Sequence, residues 1–251
     1  MRLTASLLFI LGIAHGIAAA QTPSEPPILL RLIREPARSA ASQLSRAHAT
    51  ARGGTPIIGL SSITGTPETW FLEMHDSYAS IEAMDQSVDP ALVPSSTILI
   101  YLPNLSYRPD LAARALSRAR YFQASTYRIR PGGGDAFATL MRNRRAALDA
   151  ANLDRPEMAY HVISGSYSGS YLFLAPLTSL RTLDNGSLRT PAYAAAAVGD
   201  LPGGDTHKIA AEIDLVREHQ LFRVEPGLSY VSEEFAGDGA AFWRPKFKVS
   251  Q

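Results

Sequence analysis

A carboxylate and an imidazole stand two residues apart at Glu73-x-His75, in the run "TWFLEMH". In a strand, side chains two apart leave the same face about 7 Å from each other, so Phe71, Glu73 and His75 share a face. A second imidazole, His161, lies in "EMAYHVIS" on a face with Ala159 and Ile163. A carboxylate beside a histidine can move a proton at neutral pH. If the two faces line one space, Glu73, His75 and His161 converge there as candidate catalytic residues. The alternative is that they bond to loops or lie exposed at strand ends. Arg31 and Arg128 fall in two further strand-like runs and are candidates to bind an anionic ligand, with a surface salt bridge as the simpler role. Trp70 and Tyr160 are the aromatic candidates for ligand contact.

Other chemistries lack their residues. The chain has no cysteine, which excludes disulfides, thiolate metal sites, a cysteine nucleophile and covalent c-type haem attachment. Glu73-x-His75 supplies two metal ligands and nothing signals a third, so no metal is expected. "SGSYSGSY", residues 164–171, lacks the lysine and the strand-to-helix context of a phosphate loop. Its serines are at the wrong offsets for a Gly-x-Ser-x-Gly nucleophile. Without Arg2 the basic and acidic residues balance, so no nucleic-acid footprint is present. Arg142, Arg144 and Arg145 read as the solvated face of a helix.

The elements that must position these residues run in a repeated order. In the second half, residues 121–130 read as a strand, ended by "PGGG". Asp135 caps a helix to about Ala151 that places Phe137, Leu140, Met141 and Leu148 near one face. Residues 157–164 and 171–177 are strands. Broken helix follows at 179–184 and 191–198, then a helix from Asp205 to about Glu218, then a closing strand in "LFRVEPGLSYVS". The first half repeats this with strands at 28–35, "PIIGLSS", "TWFLEMH" and "TILIYLPNLSY", and helices at 39–51 and 78–86. Trp70-Phe71-Leu72 matches Tyr171-Leu172-Phe173 in type and place. Pro-x-Leu-Ser-Tyr occurs at the end of the last strand of each half, Pro103–Tyr107 and Pro226–Tyr230. The order βαββαβ is the ferredoxin-like pattern. The fold class is therefore α+β: two tandem ferredoxin-like units, residues 21–107 and 120–251, the latter with a C-terminal tail. A linker helix spans 108–119. Phe242 and Trp243 fold back as a hydrophobic plug.

On "LPNLSYRP", "ARYFQASTYRIRPG", "LFRVEPGLSYVS" and "FWRPK", the chain resembles the dimeric α/β-barrel superfamily. Its members include NIPSNAP-like proteins, antibiotic-biosynthesis monooxygenases and chlorite dismutases. More narrowly, it resembles secreted bacterial proteins with tandem NIPSNAP-like halves. The resemblance implies two sheets enclosing a barrel, here within one chain, so that the protein is a monomer. The aromatic and aliphatic strands suit a small apolar or aromatic molecule in that barrel. The alternative is a cofactor-independent monooxygenase or isomerase using Glu73, His75 or His161 for proton transfer. Chlorite dismutases hold haem through a histidine of their second domain, which makes haem binding a minor alternative. His207 and His219 occupy that half but match no family motif. They read as surface residues, His219 at a helix end suited to the helix dipole. No cofactor is expected.

The N-terminus reads as a leader. Arg2 gives a positive start, residues 7–17 are mostly apolar, and Ala18-Ala19-Ala20 before Gln21 makes a small-residue cleavage site. Residues 1–20 are thus expected to be a signal peptide, and the mature chain to be secreted or periplasmic. No later run is apolar enough to span a bilayer.

Overall fold

The structure, a computed structural model, describes residues 25–37, 56–87, 95–185, 193, 211 and 213–244. The strands are β1 (Leu29–Pro36), β2 (Ile57–Ser62), β3 (Glu68–His75), β4 (Ser96–Tyr101), β5 (Tyr121–Ile129), β6 (Met158–Ser164), β7 (Ser170–Leu177) and β8 (Asp214–Val224). Helices span Tyr78–Ser87, Pro109–Leu116, Gly134–Ala150 and Arg181–Asn185, with single turns at Glu233–Ala236 and Ala240–Trp243. The helix expected at 39–51 lies outside the described residues, as does that at 191–198 apart from Tyr193. Among the described residues no helix is long and apolar enough to cross a membrane.

The strands close into one antiparallel barrel in the order β1-β3-β2-β8-β5-β7-β6-β4. Read in halves, the first unit runs β4-β1-β3-β2 and the second β8-β5-β7-β6, the same order twice. Two seams join them. β2 pairs with β8 through Leu60↔Val224 and Ser62↔Phe222. β4 pairs with β6 through Leu99↔Val162 and Tyr101↔Tyr160. Closure leaves no edge strand, so every unit edge is satisfied by the other unit. The β6–β7 hairpin turns on Gly165 at φ 82°, where a Cβ would meet the Ser96 carbonyl oxygen at 2.1 Å. Glycine is thus required there on two counts.

Even-numbered side chains point inward on every strand except β4, where Leu99 pairs with Leu30 and faces the core, and together they form the main cluster. Leu30, Leu72, Phe122, Tyr160, Leu174 and Phe222 all belong to it. Leu116 of the linker helix and Phe235 and Trp243 of the C-terminal segment join the same cluster. Trp243 Nε1 donates to the Ser117 carbonyl at 2.6 Å, so the expected plug is present. A residual gap of about 10 Å³, lined by Leu30, Ile58, Phe122, Met158, Tyr160 and Leu174 among others, has room for no more than one water.

On strands other than β4, odd-numbered side chains point outward. In the second unit Tyr127, Ala159 and Phe173 pack beneath Phe137, Leu140 and Met141 of the Gly134–Ala150 helix. Three expectations are corrected. The helix expected to reach Glu218 gives way to β8 by Asp214, because β5 offers a ladder from Tyr121↔Arg223 to Ile129↔Asp214. That ladder overrides the helical propensity of "DLVRE". Trp70-Phe71-Leu72 matches Leu172-Phe173-Leu174, one residue later than expected, because Leu72 pairs with Ile58 as Leu174 pairs with Met158. Asp135 lies in the first turn of its helix, and the cap position is Gly133.

Candidate functional site

Outward parity decides where the candidate residues go. Arg31, Glu73 and His75 leave the outer face of the first sheet, not the barrel. Arg31 and Glu73 are direct cross-strand partners on β1 and β3, and Leu29↔His75 is the next pair but one. Facing side chains at such positions meet. Arg31 Nε lies 3.3 Å from Glu73 Oε2, and His75 Nε2 lies 3.7 Å from the same oxygen. The three residues are 4%, 1% and 2% exposed.

The Tyr78–Ser87 helix completes the cluster. Asp85 takes Arg31 NH1 in a short ion pair. Ser80 Oγ donates to the Ser77 carbonyl at 2.8 Å and lies 3.1 Å from His75 Nδ1. Its only proton is spent on Ser77, so Nδ1 is the donor and Ser80 the acceptor. His75 Nε2 is thereby turned toward the Glu73 carboxylate oxygen. Arg31 Nε, Glu73 Oε2 and His75 Nε2 all lack a hydrogen-bond partner. Three orphaned polar atoms, buried and grouped around one oxygen, are rare in a folded chain. Ile33, Ile57 and Phe71 form an apolar cluster on the same face.

His161 does not join them. It leaves the outer face of the second sheet and stacks on Tyr171 at 4.8 Å; burial lowers its pKa. The four ligand-binding candidates also separate. Trp70 lies inside the barrel against Phe222, ring centroids 4.4 Å apart, with the Arg34 guanidinium 5.1 Å from its ring. Tyr160 borders the residual gap and its hydroxyl donates to the Pro27 carbonyl at 3.3 Å. Arg128 stacks on the exposed Tyr167 at 3.6 Å. Arg31 belongs to the outer cluster.

Sequence reasoning missed Asp85 and Ser80, whose approach to Arg31 and His75 has no local signature. It also placed Arg144 on a solvated face, whereas Arg144 turns inward as a two-pronged partner of Glu157. His207 lies outside the described residues. His219 is a strand residue of β8 rather than a helix end, and its Nδ1 lies 2.8 Å from Ser125 Oγ. Among the described residues, no group of three carboxylate or imidazole side chains is set to hold a metal ion.

No protein-family model matches the chain, and no curated protein matches it. Solved structures do. A candidate monooxygenase of Fusobacterium nucleatum superposes with a TM-score of 0.52 at 8% identity, over 82% of this chain and 99% of that one. An anthrone oxidase-like protein gives 0.49 at 10% identity, over 81% and 93%. A candidate chlorite dismutase gives 0.45 at 14% identity, over 85% and 97%. At these identities the likeness concerns the fold. The Fusobacterium protein shares the fold, which here is an α+β barrel of eight strands closed within a single chain.

Proposed function

We propose that this chain is a small-molecule-binding protein that carries out cofactor-independent proton transfer of isomerase type at Arg31, Glu73 and His75. The observation that carries this reading is the meeting of buried Arg31 Nε and His75 Nε2 at Glu73 Oε2, all three atoms without a hydrogen-bond partner. Glu73 Oε2 and His75 Nε2 face each other across 3.7 Å, a pair that can take up one proton. A substrate with a carbon acid beside a carbonyl supplies it. Glu73 or His75 takes the proton, the C–H pair moves into the enolate, and the Arg31 guanidinium faces the charge that develops on oxygen. Returning the proton to another carbon completes an isomerisation with no oxidant and no net change in atoms.

Ile33, Ile57 and Phe71 supply an apolar, partly aromatic flank, which suits a small apolar or aromatic carbonyl compound. The binding site in this reading is the outer face, where Arg31, Glu73 and His75 meet beside this flank. The Fusobacterium protein of like fold is a candidate monooxygenase, but the chemistry here rests on the three side chains. A haem reading gains little: the surround of His219 holds several guanidiniums. Residues 7–20 support the further proposal that the protein works outside the cytoplasm.

The test is hydrogen–deuterium exchange at the α-carbon of acetophenone and of a cyclic β-diketone, followed by NMR in D₂O. The native protein is expected to accelerate exchange of at least one. Glu73→Gln and His75→Gln each lower that rate by roughly a hundredfold or more. Catalysis undiminished in both variants, or none by the native protein, overturns the proposal.

A further inference from the structure

A second polar cluster lies on the outer face of the other sheet, apart from Arg31, Glu73 and His75. Gln123 and Ser125 sit two residues apart on β5, so their side chains leave one face about 7 Å from each other. Ser125 pairs with His219 of β8. Arg155 is 8% exposed and reaches the Gln123 side-chain carbonyl with one terminal nitrogen. Its Nε–H is buried and has no partner.

The charges here do not balance. The carboxylate that acts on this cluster is Glu157, 3% exposed, and both its oxygens are taken by the two terminal nitrogens of Arg144. Among the described residues Arg155 is left with an amide oxygen and no paired carboxylate. Burial lowers the Arg155 pKa, and the like charge of Arg144 adds to this against the pull of Glu157. An unpaired buried guanidinium is costly. The groups acting on His219 are Ser125, Tyr127, Arg217, Arg144, Arg155 and Glu157. Burial first, then the three guanidiniums, push its imidazole below the ordinary value.

We propose that this face binds a small oxyanion, a carboxylate or phosphate group, which takes the free Nε–H of Arg155 and lies beside the Ser125–His219 pair. Guanidinium is the side-chain group best matched to such anions. With Ser125 donating to Nδ1, the neutral imidazole keeps its proton on Nε2 and offers a second donor. The site is distinct from the proton-transfer cluster, and nothing in the proposed isomerase chemistry requires it.

Inorganic phosphate and benzoate serve as probes, added to the full chain at constant ionic strength. The His219 ring resonances are followed through a pH titration, and the melting temperature is read in parallel. At least one probe is expected to raise the melting temperature and to raise the His219 midpoint, since an adjacent anion favours imidazolium. A response to phosphate alone assigns a phosphate ester, and one to benzoate alone assigns a carboxylate. Arg155→Gln weakens binding roughly ten- to hundredfold. Should that variant fail to fold, Arg155→Lys, which keeps the charge but lacks the Nε–H, is expected to weaken binding in the same direction. If neither probe moves His219, or if the folded Arg155 variant binds as tightly as the native chain, the proposal fails.

Discussion

Ser106 and Ser229 make the same two hydrogen bonds at opposite seams of the barrel. Ser106 Oγ donates to the Leu102 carbonyl and accepts from the Ala159 N–H, both at 2.9 Å. Ser229 Oγ donates to the Glu225 carbonyl at 2.8 Å and accepts from the Gly59 N–H at 3.0 Å. The following tyrosines behave alike. Tyr107 exchanges backbone hydrogen bonds with Glu157, and Tyr230 with Ile57. Each Pro-x-Leu-Ser-Tyr therefore ends the last strand of its own unit with a short 3₁₀ turn and fastens onto the second strand of the other. The phrase is written twice because a barrel made of two units has two seams.

Removing either serine hydroxyl leaves a strand N–H without its acceptor. Ser106 is fully buried, and Ser229 is partly buried. Ser106→Ala is expected to cost about 1–3 kcal/mol, and Ser229→Ala less, because water can replace the lost acceptor. The seams share no partners, so the double variant loses close to the sum. Urea denaturation of the four proteins checks this. Equal losses would show that burial does not set the difference.

Gly59 is fixed by the same seam. A Cβ there would lie 2.6 Å from Leu228 Cβ and 2.7 Å from the Leu228 carbonyl oxygen. Neither neighbour is the far end of a flexible chain, so backbone must move. Gly59→Ala is expected to destabilise by about 1–3 kcal/mol, with the largest chemical-shift changes at Leu228 and Ser229. The seam partner of Ser106 is an alanine, Ala159, so the clash is particular to the β2–β8 seam.

Seven strands and the end of β8 were legible because aromatic and β-branched runs end at strong breakers such as Pro36 and "PGGG". The tandem order followed from them. The face of each strand was not legible at the site. In β3 seven of eight residues are buried and the eighth is half-buried, since the barrel core lies on one side and a covering layer on the other. A strand buried on both faces loses the alternation that assigns sides. Glu73 and His75 were therefore recognised as a pair while their direction was open. Their convergence with Arg31 followed only once register was known. Asp85, Ser80 and Arg155 approach across long sequence separations, and residue type alone does not announce that.

The two half-exposed imidazoles give a signed pH dependence. Burial lowers the pKa of His161, and burial followed by Arg217 lowers that of His219. An unfolded histidine titrates near 6.5. Between the folded and unfolded values the unfolded chain holds more protons, so stability rises with pH. This contribution is complete above about pH 6.5 and is lost as pH falls through the two folded values. NMR titration of the ring protons is expected to place both midpoints below that of a model peptide. A midpoint at or above it for His219 would mean that its cationic surround is already neutralised.

Exported protein is expected to begin at Gln21 or within a few residues of it. The alanine run at 18–20 offers the small side chains that a signal peptidase site requires. Intact mass spectrometry of protein recovered from outside the cytoplasm reads the new terminus directly. Recovery of a chain that retains Met1 would remove the leader assignment and, with it, the proposed location.

The last expectation concerns assembly. A single ferredoxin-like sheet, covered by helices on one face, leaves its other face and two edges open. In proteins that pair such units between chains, the partner supplies the cover. Here Leu30, Leu72 and Trp70 of the first unit bury against Phe122, Leu174 and Phe222 of the second, and the β2–β8 and β4–β6 ladders close both edges. Burying apolar area contributes roughly 25 cal/mol per Å², so parting the units would forfeit many kcal/mol. The Pro109–Leu116 linker keeps them at high effective concentration, and no second chain is needed to complete the barrel. Sedimentation of the mature protein at low concentration is expected to show a folded monomer. Dilution should leave the near-UV circular dichroism of Trp70 and Trp243 unchanged, because both rings are buried within one chain. An obligate dimer that unfolds on dilution would mean that the two units find their partners in another molecule.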